Sequence, residues 1–207
     1  TGSGKSTIVN LLPRLYDASE GAVFFDGINV KDYPLKELRK RIAIALQRPA
    51  IFEGTIRSNV SLDGSADEEA IEKAIENAQA ADVVKSKTGG LDAPLEQRGR
   101  NLSGGQKQRL SVARALAKGS EVLILDDSSS ALDYMTDLKL RRAIKSLGSS
   151  LTTIIVSQRA SAVRNADKII VLGDGEIIGE GTADHLRETC DVYREIEASQ
   201  MKEGGVK

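Results

Sequence analysis

Two runs of apolar and β-branched residues, at 122–125 and 152–156, constrain the fold of this chain more than any other feature. Both runs are continuous rather than alternating, which is typical of strands that are buried on both faces of a parallel sheet. The segment at 135–147 has a helical pattern, and parallel strands require a crossover connection of this kind. We therefore predict a βαβ unit and, with it, an α/β fold.

The rest of the chain shows helix and strand patterns on either side of that unit. We predict helices at about 5–16, 67–80, 104–118 and 182–201, with Pro13 distorting the last turn of the first. We predict strands at 21–27, 41–46, 168–172 and 176–178, the last two joined in a hairpin, and a loop at 87–101. The sequence contains no internal repeat, so we expect a single domain over residues 1–207.

The composition argues against several classes of function. The 29 basic and 30 acidic side chains nearly cancel, so we expect no nucleic-acid partner, which would call for a basic stripe. No apolar run approaches the roughly 20 residues that cross a bilayer. The start of the chain has no secretory apolar segment, so we expect any membrane role to come through a partner or through sequence outside this chain. The single cysteine, Cys190, excludes an internal disulfide, and we interpret it as a bystander thiol in a reducing compartment.

A glycine-rich segment opens the chain and precedes the first predicted helix. Its sequence, Gly2-Ser3-Gly4-Lys5-Ser6-Thr7, matches the end of the phosphate-binding pattern G-x-x-x-x-G-K-[ST]. Glycines let backbone N–H groups close around phosphate oxygens, Lys5 would reach the β- and γ-phosphates, and the Ser6 hydroxyl would bind Mg²⁺. We expect the first glycine of the pattern to stand before Thr1. A chance Gly-Lys-Ser in front of a helix is the alternative for this segment taken alone.

A carboxylate, Asp126, ends the apolar strand predicted at 122–125. A strand that ends in this way commonly holds Mg²⁺ beside a phosphate-binding loop. The alternative is a buried strand followed by an aspartate that caps a helix. Both interpretations fit this strand by itself, so the choice depends on the glycine-rich segment.

A third motif, Leu102-Ser103-Gly104-Gly105-Gln106, stands at the start of the helix predicted at 104–118. Ser103 and Gln106 have the spacing of a capping box, in which each side chain bonds the other's backbone N–H group. A capping box does not explain the two adjacent glycines. Glycines weaken a first helical turn, which indicates that another group approaches this backbone closely.

Together these three motifs resemble those of the ABC ATPases. Residues 102–106 are identical to the signature sequence of that family, and Asp126 follows them at the family's usual spacing. Gln47 resembles the family's Q-loop glutamine, and residues 130–133 resemble its D-loop. Residues 51–59 resemble a segment that is typical of exporters rather than importers. The resemblance covers essentially the whole chain.

The resemblance implies a P-loop NTPase core of the RecA/F1 type, with a mostly parallel sheet and a helical subdomain at about 48–118. It also implies that the strand feeding the phosphate loop and the aromatic residue that stacks on adenine precede Thr1. The implied ligands are ATP and Mg²⁺. ATP would be held by Gly2, Ser3, Gly4, Lys5, Ser6 and Thr7 of one chain and by Ser103, Gly104, Gly105 and Gln106 of another. Mg²⁺ would be held by Ser6, Gln47 and Asp126.

The family's members pair head to tail around two ATP molecules, so the implied partner is a second nucleotide-binding domain. The free N–H groups at the helix start beside Ser103 form an anion site. The chain's own glycine-rich loop already holds one face of its nucleotide, so we expect this second anion site to bind the nucleotide of another chain. The resemblance also implies a transmembrane domain of the same transporter as a partner, and a location at the cytoplasmic face of the cell membrane. Residues 96–98 resemble the exporter segment that touches that domain, although a solvated charge cluster explains them equally well.

Two positions depart from the family pattern. Asp127 stands where the family has the glutamate that orients the attacking water, and Gln158 stands where it has the switch histidine. Loss of one methylene withdraws the carboxylate by about 1.5 Å, and a misplacement of about 1 Å costs on the order of 10²-fold in rate. An amide bonds a phosphate but does not take its proton. We expect Asp127, Gln158 and Gln47 at the catalytic positions of a degenerate site, which resembles that of one subunit of heterodimeric bacterial exporters.

Several alternatives remain for these departures. The first is neutral drift that leaves a slower, working ATPase. The second is a regulatory ATP-binding subunit whose partner does all the chemistry; restoring glutamate and histidine would raise turnover in that case and change it little in an ATP-hydrolysing exporter domain. The third is a DNA-repair ATPase, which the sequence disfavours because the interval between Ser6 and Leu102 contains no heptads. The lone histidine, His185, is predicted to face solvent, and we expect no metal other than Mg²⁺.

Overall fold

The structure, a computed structural model, describes residues 2–204, with side chains described up to residue 200. Thr1 and residues 205–207, which belong to the predicted domain, lie outside the described residues. The strands are β1 (Phe24–Phe25), β2 (Ile28–Asn29), β3 (Ile42–Ala45), β4 (Gly54–Thr55), β5 (Pro94–Leu95), β6 (Val122–Asp126), β7 (Thr152–Val156), β8 (Ile169–Gly173) and β9 (Glu176–Gly181). The helices are α1 (Lys5–Leu11), α2 (Leu35–Arg41), α3 (Ile56–Val60), α4 (Glu68–Asn77), α5 (Ala81–Lys85), α6 (Gly104–Ala117), α7 (Tyr134–Ser146), α8 (Ala160–Val163), α9 (Ala183–Thr189) and α10 (Asp191–Gly204).

A three-stranded parallel sheet in the order β3-β6-β7 forms the centre of the molecule. In its register Val122 pairs with Ile42 on one side and with Thr152 on the other. All five residues of β6 are buried, as the continuous apolar run predicts. Because α7 connects β6 to the parallel β7, the predicted βαβ unit and the α/β fold are confirmed.

Helices cover both faces of this sheet, and the alternation along β6 assigns its side chains to the two sides. Leu123 and Leu125 belong to a core cluster that includes residues of α4 and α6. Val122 and Ile124 belong to a second cluster that includes residues of α1 and α2. The segment at 48–118, which was predicted as a helical subdomain, therefore packs through α6 against one face of the sheet, while α1 packs on the other.

Antiparallel pairs lie outside the central sheet. The strand predicted at 21–27 was wrong in extent, because only Phe24–Phe25 pairs with β2 before an Asp26-Gly27 turn with φ of 49° and 76°. Two successive positive φ angles are typical of a tight hairpin turn. The hairpin of β8 and β9 is confirmed, with β9 extending to Gly181 rather than ending at residue 178. The loop predicted at 87–101 contains the short strand β5, which pairs with β4.

Two helix predictions need correction. The first helix ends at Leu11 rather than near Tyr16, because Pro13 has no N–H group and its ring obstructs a continuing helix. The tail predicted as one helix is two, α9 and α10, which meet at Cys190 in an extended conformation. Cys190 is buried in a third core cluster with Leu186 and residues of β8, so packing against the hairpin interrupts the helix. His185 is exposed, as predicted.

None of the helices described between residues 2 and 204 is long and apolar enough to cross a membrane.

Candidate phosphate-binding site

A cavity of about 250 Å³ lies where the carboxyl ends of the central strands meet the loop before α1. This edge of a parallel sheet is where α/β proteins commonly bind ligands. The residues that line it come from four separate segments of the chain. They are Gly2, Ser3, Gly4, Lys5, Ser6, Thr7, Gln47, Asp126, Asp127, Val156, Ser157 and Gln158. Every predicted site residue outside the signature segment therefore lines this one cavity.

The glycine-rich loop forms one wall of the cavity. Gly2 and Gly4 have φ of 90° and 87°, a left-handed conformation that a residue with a Cβ atom adopts at a cost. Such a loop turns successive backbone N–H groups toward one side, which makes a concave site for an anion. The ammonium group of Lys5 donates to the Ser3 hydroxyl at 2.6 Å, so the Lys5 side chain folds back onto the loop, and both residues line the cavity.

The oxygen atoms of Ser6 and Asp126 lie together on the floor of the cavity. The Ser6 hydroxyl donates to Oδ1 of Asp126 at 2.9 Å, and Asp126 is only 4% exposed. Hydroxyl and carboxylate oxygens are ligands that Mg²⁺ prefers, and this ion usually keeps waters and binds substrate phosphates as well. No cluster of three His, Cys, Asp or Glu side chains that could hold a metal occurs among the described residues. The donor set therefore fits a magnesium ion shared with a phosphate rather than an all-protein metal cage.

Asp127 occupies a constrained position directly beside Asp126. Its φ of 45° is unusual for a residue other than glycine, although aspartate tolerates it better than most. The conformation is fixed from both sides, since its N–H donates to the Val156 carbonyl at 2.9 Å and its carbonyl accepts from the Ser130 hydroxyl at 3.0 Å. Its carboxylate accepts a hydrogen bond from Nε2 of Gln47 at 3.1 Å. Asp127 and Gln47, both of which we expect at catalytic positions, are thus paired with each other.

The surroundings of Asp127 oppose its ionisation. Burial raises the pKa of this carboxyl, and the neighbouring Asp126 carboxylate raises it further. The hydrogen bond from Gln47 and the charges of Arg159 and Lys5 act in the opposite direction and only partly offset the increase. Asp127 therefore accepts a proton more readily than an exposed aspartate does.

Gln158 reaches the cavity from the end of β7. Val156 pairs with Asp126 in the parallel register, so the residues after the two strands lie next to each other. The side chain of Gln158 is exposed and lines the cavity together with Ser157. The sequence reasoning did not identify Val156 and Ser157 as lining residues, although the rule that parallel strands end at one edge would have included them.

The signature segment lies elsewhere in the molecule and does not line the cavity. Its capping box is present: N–H of Gln106 donates to the Ser103 hydroxyl at 3.3 Å, and N–H of Ser103 donates to Oε1 of Gln106 at 2.9 Å. The predicted close approach applies to one glycine only, because a Cβ atom on Gly105 would lie 3.1 Å from the Ala131 carbonyl oxygen. A Cβ atom on Gly104 would meet nothing within 4 Å. Ser103 and Gly104 are both exposed, which leaves this helix start accessible to another molecule.

The signature helix nevertheless contacts the cavity's surroundings through its buried side. Gln108, which is 1% exposed, donates to the carbonyl of Leu46, the residue before Gln47. Near the helix end, Arg114 donates to the backbone carbonyls of Asn59 and Ala50. The exposed helix start and the Q-loop segment are thus joined by one continuous helix.

Comparison with known proteins agrees with this geometry. The sequence profile of the family described as "ABC transporter" matches residues 1–130. The chain belongs to the ABC transporter family. The matched residues include the glycine-rich loop, Gln47, the signature segment, Asp126 and Asp127.

Similar proteins of the ABC transporter family are longer than this chain. An ATP-dependent lipid A-core flippase from Burkholderia orbicola is 38% identical over 98% of this chain and 34% of its own length. An uncharacterized ABC transporter ATP-binding protein, YwjA, from Bacillus subtilis is 39% identical over 97% of this chain and 35% of its own length. A solved structure of a bacterial Atm1-family ABC exporter with ATP bound superposes with a TM-score of 0.90 at 34% identity, over 97% of this chain and 35% of that one. The chain thus spans about a third of the length of these relatives.

Proposed function

We propose that this chain is the ATP-binding and hydrolysing domain of an exporter, and that its own nucleotide site holds ATP but hydrolyses it slowly. The observation that carries the proposal is the pairing of an unaltered phosphate-binding wall with altered catalytic positions in one cavity. Gly2 to Thr7 and Asp126 keep the family pattern, whereas Asp127 and Gln158 depart from it. The site is therefore equipped to bind and poorly equipped to catalyse.

The binding half of the proposal rests on the charges and donors of the cavity. In it Lys5 and the N–H groups of the glycine-rich loop contact the β- and γ-phosphates. Ser6, Asp126 and Gln47 would hold Mg²⁺, which when bound neutralises charge that develops on the phosphate oxygens. The Ser6–Asp126 hydrogen bond of 2.9 Å supports this because it brings the two oxygen donors together.

The catalytic half depends on how far each side chain reaches. The carboxylate of Asp127 lies about 1.5 Å short of where glutamate would place it, and positioning errors of this size cost on the order of 10²-fold in rate. Its hydrogen bond to Gln47 at 3.1 Å also holds it against the wall of the cavity. Gln158 donates or accepts a hydrogen bond but does not exchange a proton with the γ-phosphate. Both changes slow hydrolysis without preventing binding.

The intact signature segment favours a partner with a competent site. Ser103 and Gly104 are exposed and lie outside this chain's own cavity, so the segment would cap ATP bound to a second nucleotide-binding domain. In a head-to-tail heterodimer this chain would supply its unaltered signature to the partner's site and keep the altered site for itself. The helical subdomain at about 48–118, which carries the signature, would then make the contact between the two chains.

The membrane partner is a transmembrane domain of the same transporter, at the cytoplasmic face of the cell membrane. Support comes from the relatives, which are about three times the length of this chain and bear the names of a flippase and of exporters. The exposed residues at 96–98 are the part of the chain that we assign to contact with that domain.

The test is to restore the family's residues with Asp127→Glu and Gln158→His in the full-length protein. The turnover of ATP is expected to rise on the order of 10²-fold, because both catalytic groups regain their reach. A matched control adds Lys5→Ala to the same pair and is expected to remove the gain.

An unchanged turnover in the restored variant would mean that the site already works with aspartate and glutamine, and the degenerate assignment would fail. A regulatory subunit that binds ATP and never hydrolyses it is the second candidate. It is favoured if the wild-type site shows no detectable hydrolysis even when the partner's signature is present.

A further inference from the structure

We propose that Gln200, on the C-terminal helix, is a positioning residue for the loop that presents Gln158 to the bound nucleotide. The inference rests on the proposed ATP site and adds a residue that no sequence motif identifies. One side-chain amide makes both contacts: Nε2 of Gln200 donates to the Gln158 carbonyl at 2.7 Å, and its Oε1 accepts from the Ala160 N–H group at 2.9 Å. The two hydrogen bonds lie on either side of Arg159.

The Ala160 N–H group needs a partner that the local sequence does not supply. Ala160 begins the short helix α8, and the first N–H groups of a helix have no partner within it. Arg159, which precedes α8, makes no capping hydrogen bond with its side chain. Gln200 therefore supplies from a distant helix the acceptor that a capping serine or aspartate would supply locally.

Gln200 is held in place by the packing of α10. Tyr193, Ile196 and Gln200 are spaced three and four residues apart and so share one face of that helix. Tyr193 is buried in the same core cluster as Ala160, and Ile196 packs against this cluster. On the neighbouring face, the carboxylate of Glu197 binds the guanidinium of Arg187 on α9, with both oxygens at 2.7 Å. The amide of Gln200 is consequently half-buried and fixed.

The loop from Ser157 to Arg159 is thus anchored at both ends. The β7 ladder fixes it before Ser157, through the pairing of Val156 with Asp126, and Gln200 fixes it at Gln158 and Ala160. Without Gln200 the loop would keep the strand pairing, the burial of Ala160 and the hydrogen bond of 3.0 Å from the Arg159 N–H group to the Ser157 hydroxyl, but none of these holds the Gln158 carbonyl. The side chain that faces the γ-phosphate would lose its orientation, while the contact of the glycine-rich loop with the β-phosphate, which ATP and ADP share, would be unaffected.

The test compares ATP and ADP affinities of the full-length protein. Gln200→Ala is expected to lower the preference for ATP over ADP about five-fold, the size of effect typical for one lost hydrogen bond. In a Gln158→Ala background the same change is expected to cause no further loss, because the two residues act through one contact. Gln200→Glu keeps the acceptor for Ala160 and loses the donor to Gln158, so an intermediate preference is expected. Ser199→Ala, an exposed change on the same helix, is the matched control.

Hydrogen exchange of residues 158–163, measured without nucleotide, tests the anchoring separately and is expected to quicken in Gln200→Ala. The inference is overturned if Gln200→Ala leaves the ATP preference unchanged, weakens ATP and ADP equally, or adds its effect to that of Gln158→Ala. Failure of the proposed function looks different: wild-type protein would bind neither nucleotide in a manner that depends on Lys5, whatever residue stands at position 200.

Discussion

The phosphate cavity and the signature turn both belong to the nucleotide sites that we propose, yet only the signature turn keeps the whole family pattern. In the cavity, Asp127 and Gln158 differ from the family pattern although they lie beside Asp126 and the glycine-rich loop. In the signature turn, every residue from Leu102 to Gln106 is retained, and Ser103 and Gly104 stand exposed, outside the cavity. Under the proposal, the part that departs from the pattern binds this chain's own nucleotide, while the retained part faces outward.

The difference indicates that, in the proposed heterodimer, the two parts act on different ATP molecules. A signature turn that served only a poorly catalytic site would have no reason to stay intact, whereas one that caps the ATP of a competent partner must. Since α6 joins the turn to the Q-loop segment through Gln108 and Leu46, the two parts remain mechanically connected within one chain. The proposed heterodimer explains both observations at once.

The largest expected effect is on ATP affinity, which should depend on the phosphate cavity and not on the signature turn of the same chain. Lys5→Ala is expected to weaken ATP binding by this chain's own site about 10²-fold, because a charge-assisted bond to phosphate is lost. Ser103→Ala is expected to leave binding at that site unchanged. Equilibrium binding of a fluorescent ATP analogue to the full-length protein measures the affinity of both variants. Lys145→Ala, which changes an exposed residue of α7, is the control. Equal losses in the two variants would contradict the comparison.

A smaller effect concerns the two signature glycines. A Cβ atom at Gly105 would lie 3.1 Å from the Ala131 carbonyl, whereas Gly104 faces open space. Gly105→Ala is expected to lower the thermal stability, by about 1 kcal/mol relative to Gly104→Ala, because the D-loop backbone must shift. Gly104→Ala is the matched control and is expected to be neutral or slightly stabilising, since alanine favours a helix. If the two variants melted together, the close contact between signature helix and D-loop would be refuted.

The smallest effect concerns two carboxylates, one near each part, whose pKa values shift in opposite directions. Arg109 holds the pKa of Asp82 below its usual 3.8, so this ion pair stabilises the fold above that pH, and its contribution is lost as the pH falls through the lowered pKa. Burial raises the pKa of Asp127, so its ionisation destabilises the fold as the pH rises through the raised pKa. At pH 7, Asp82→Asn is expected to have a lower melting temperature than wild type. Asp127→Asn is not expected to lower the melting temperature. Thermal unfolding measures both variants, and the difference in melting temperature from wild type should shrink for each as the pH falls toward 3. A lower melting temperature for Asp127→Asn and an unchanged or higher one for Asp82→Asn at pH 7 would contradict the two pKa directions.

Elements with a strong local pattern were predictable from the sequence. The strands β6 and β7 and the helices α6 and α7 follow from continuous apolar runs or helical spacing, and their predicted limits are close to the observed ones. The break at Cys190 was not predictable, because the interruption comes from packing against the distant hairpin and not from a residue that disfavours helices. The length of β1 was likewise not predictable. It depends on which residues pair with β2, and the spacing of apolar residues in the sequence does not determine that pairing.

The residues of the site were predictable, but their contacts were not. Glycines, lysine and aspartate at fixed spacing identify the phosphate-binding wall, and the rule that parallel strands end together brings Gln158 beside Asp127. The hydrogen bond between Gln47 and Asp127 joins residues 80 positions apart, and that between Gln200 and Gln158 joins residues 42 positions apart. Pairings of this kind depend on tertiary packing, so no local pattern signals them.

The central claim, a site that binds ATP and hydrolyses it slowly, is tested most directly by the steady-state Mg-ATPase activity of the full-length protein purified without another subunit. ATP affinity is measured on the same preparation. The account predicts ATP binding that depends on Lys5, accompanied by almost no turnover. Brisk turnover that Lys5→Ala abolishes would show a competent pair of identical sites and would contradict the account.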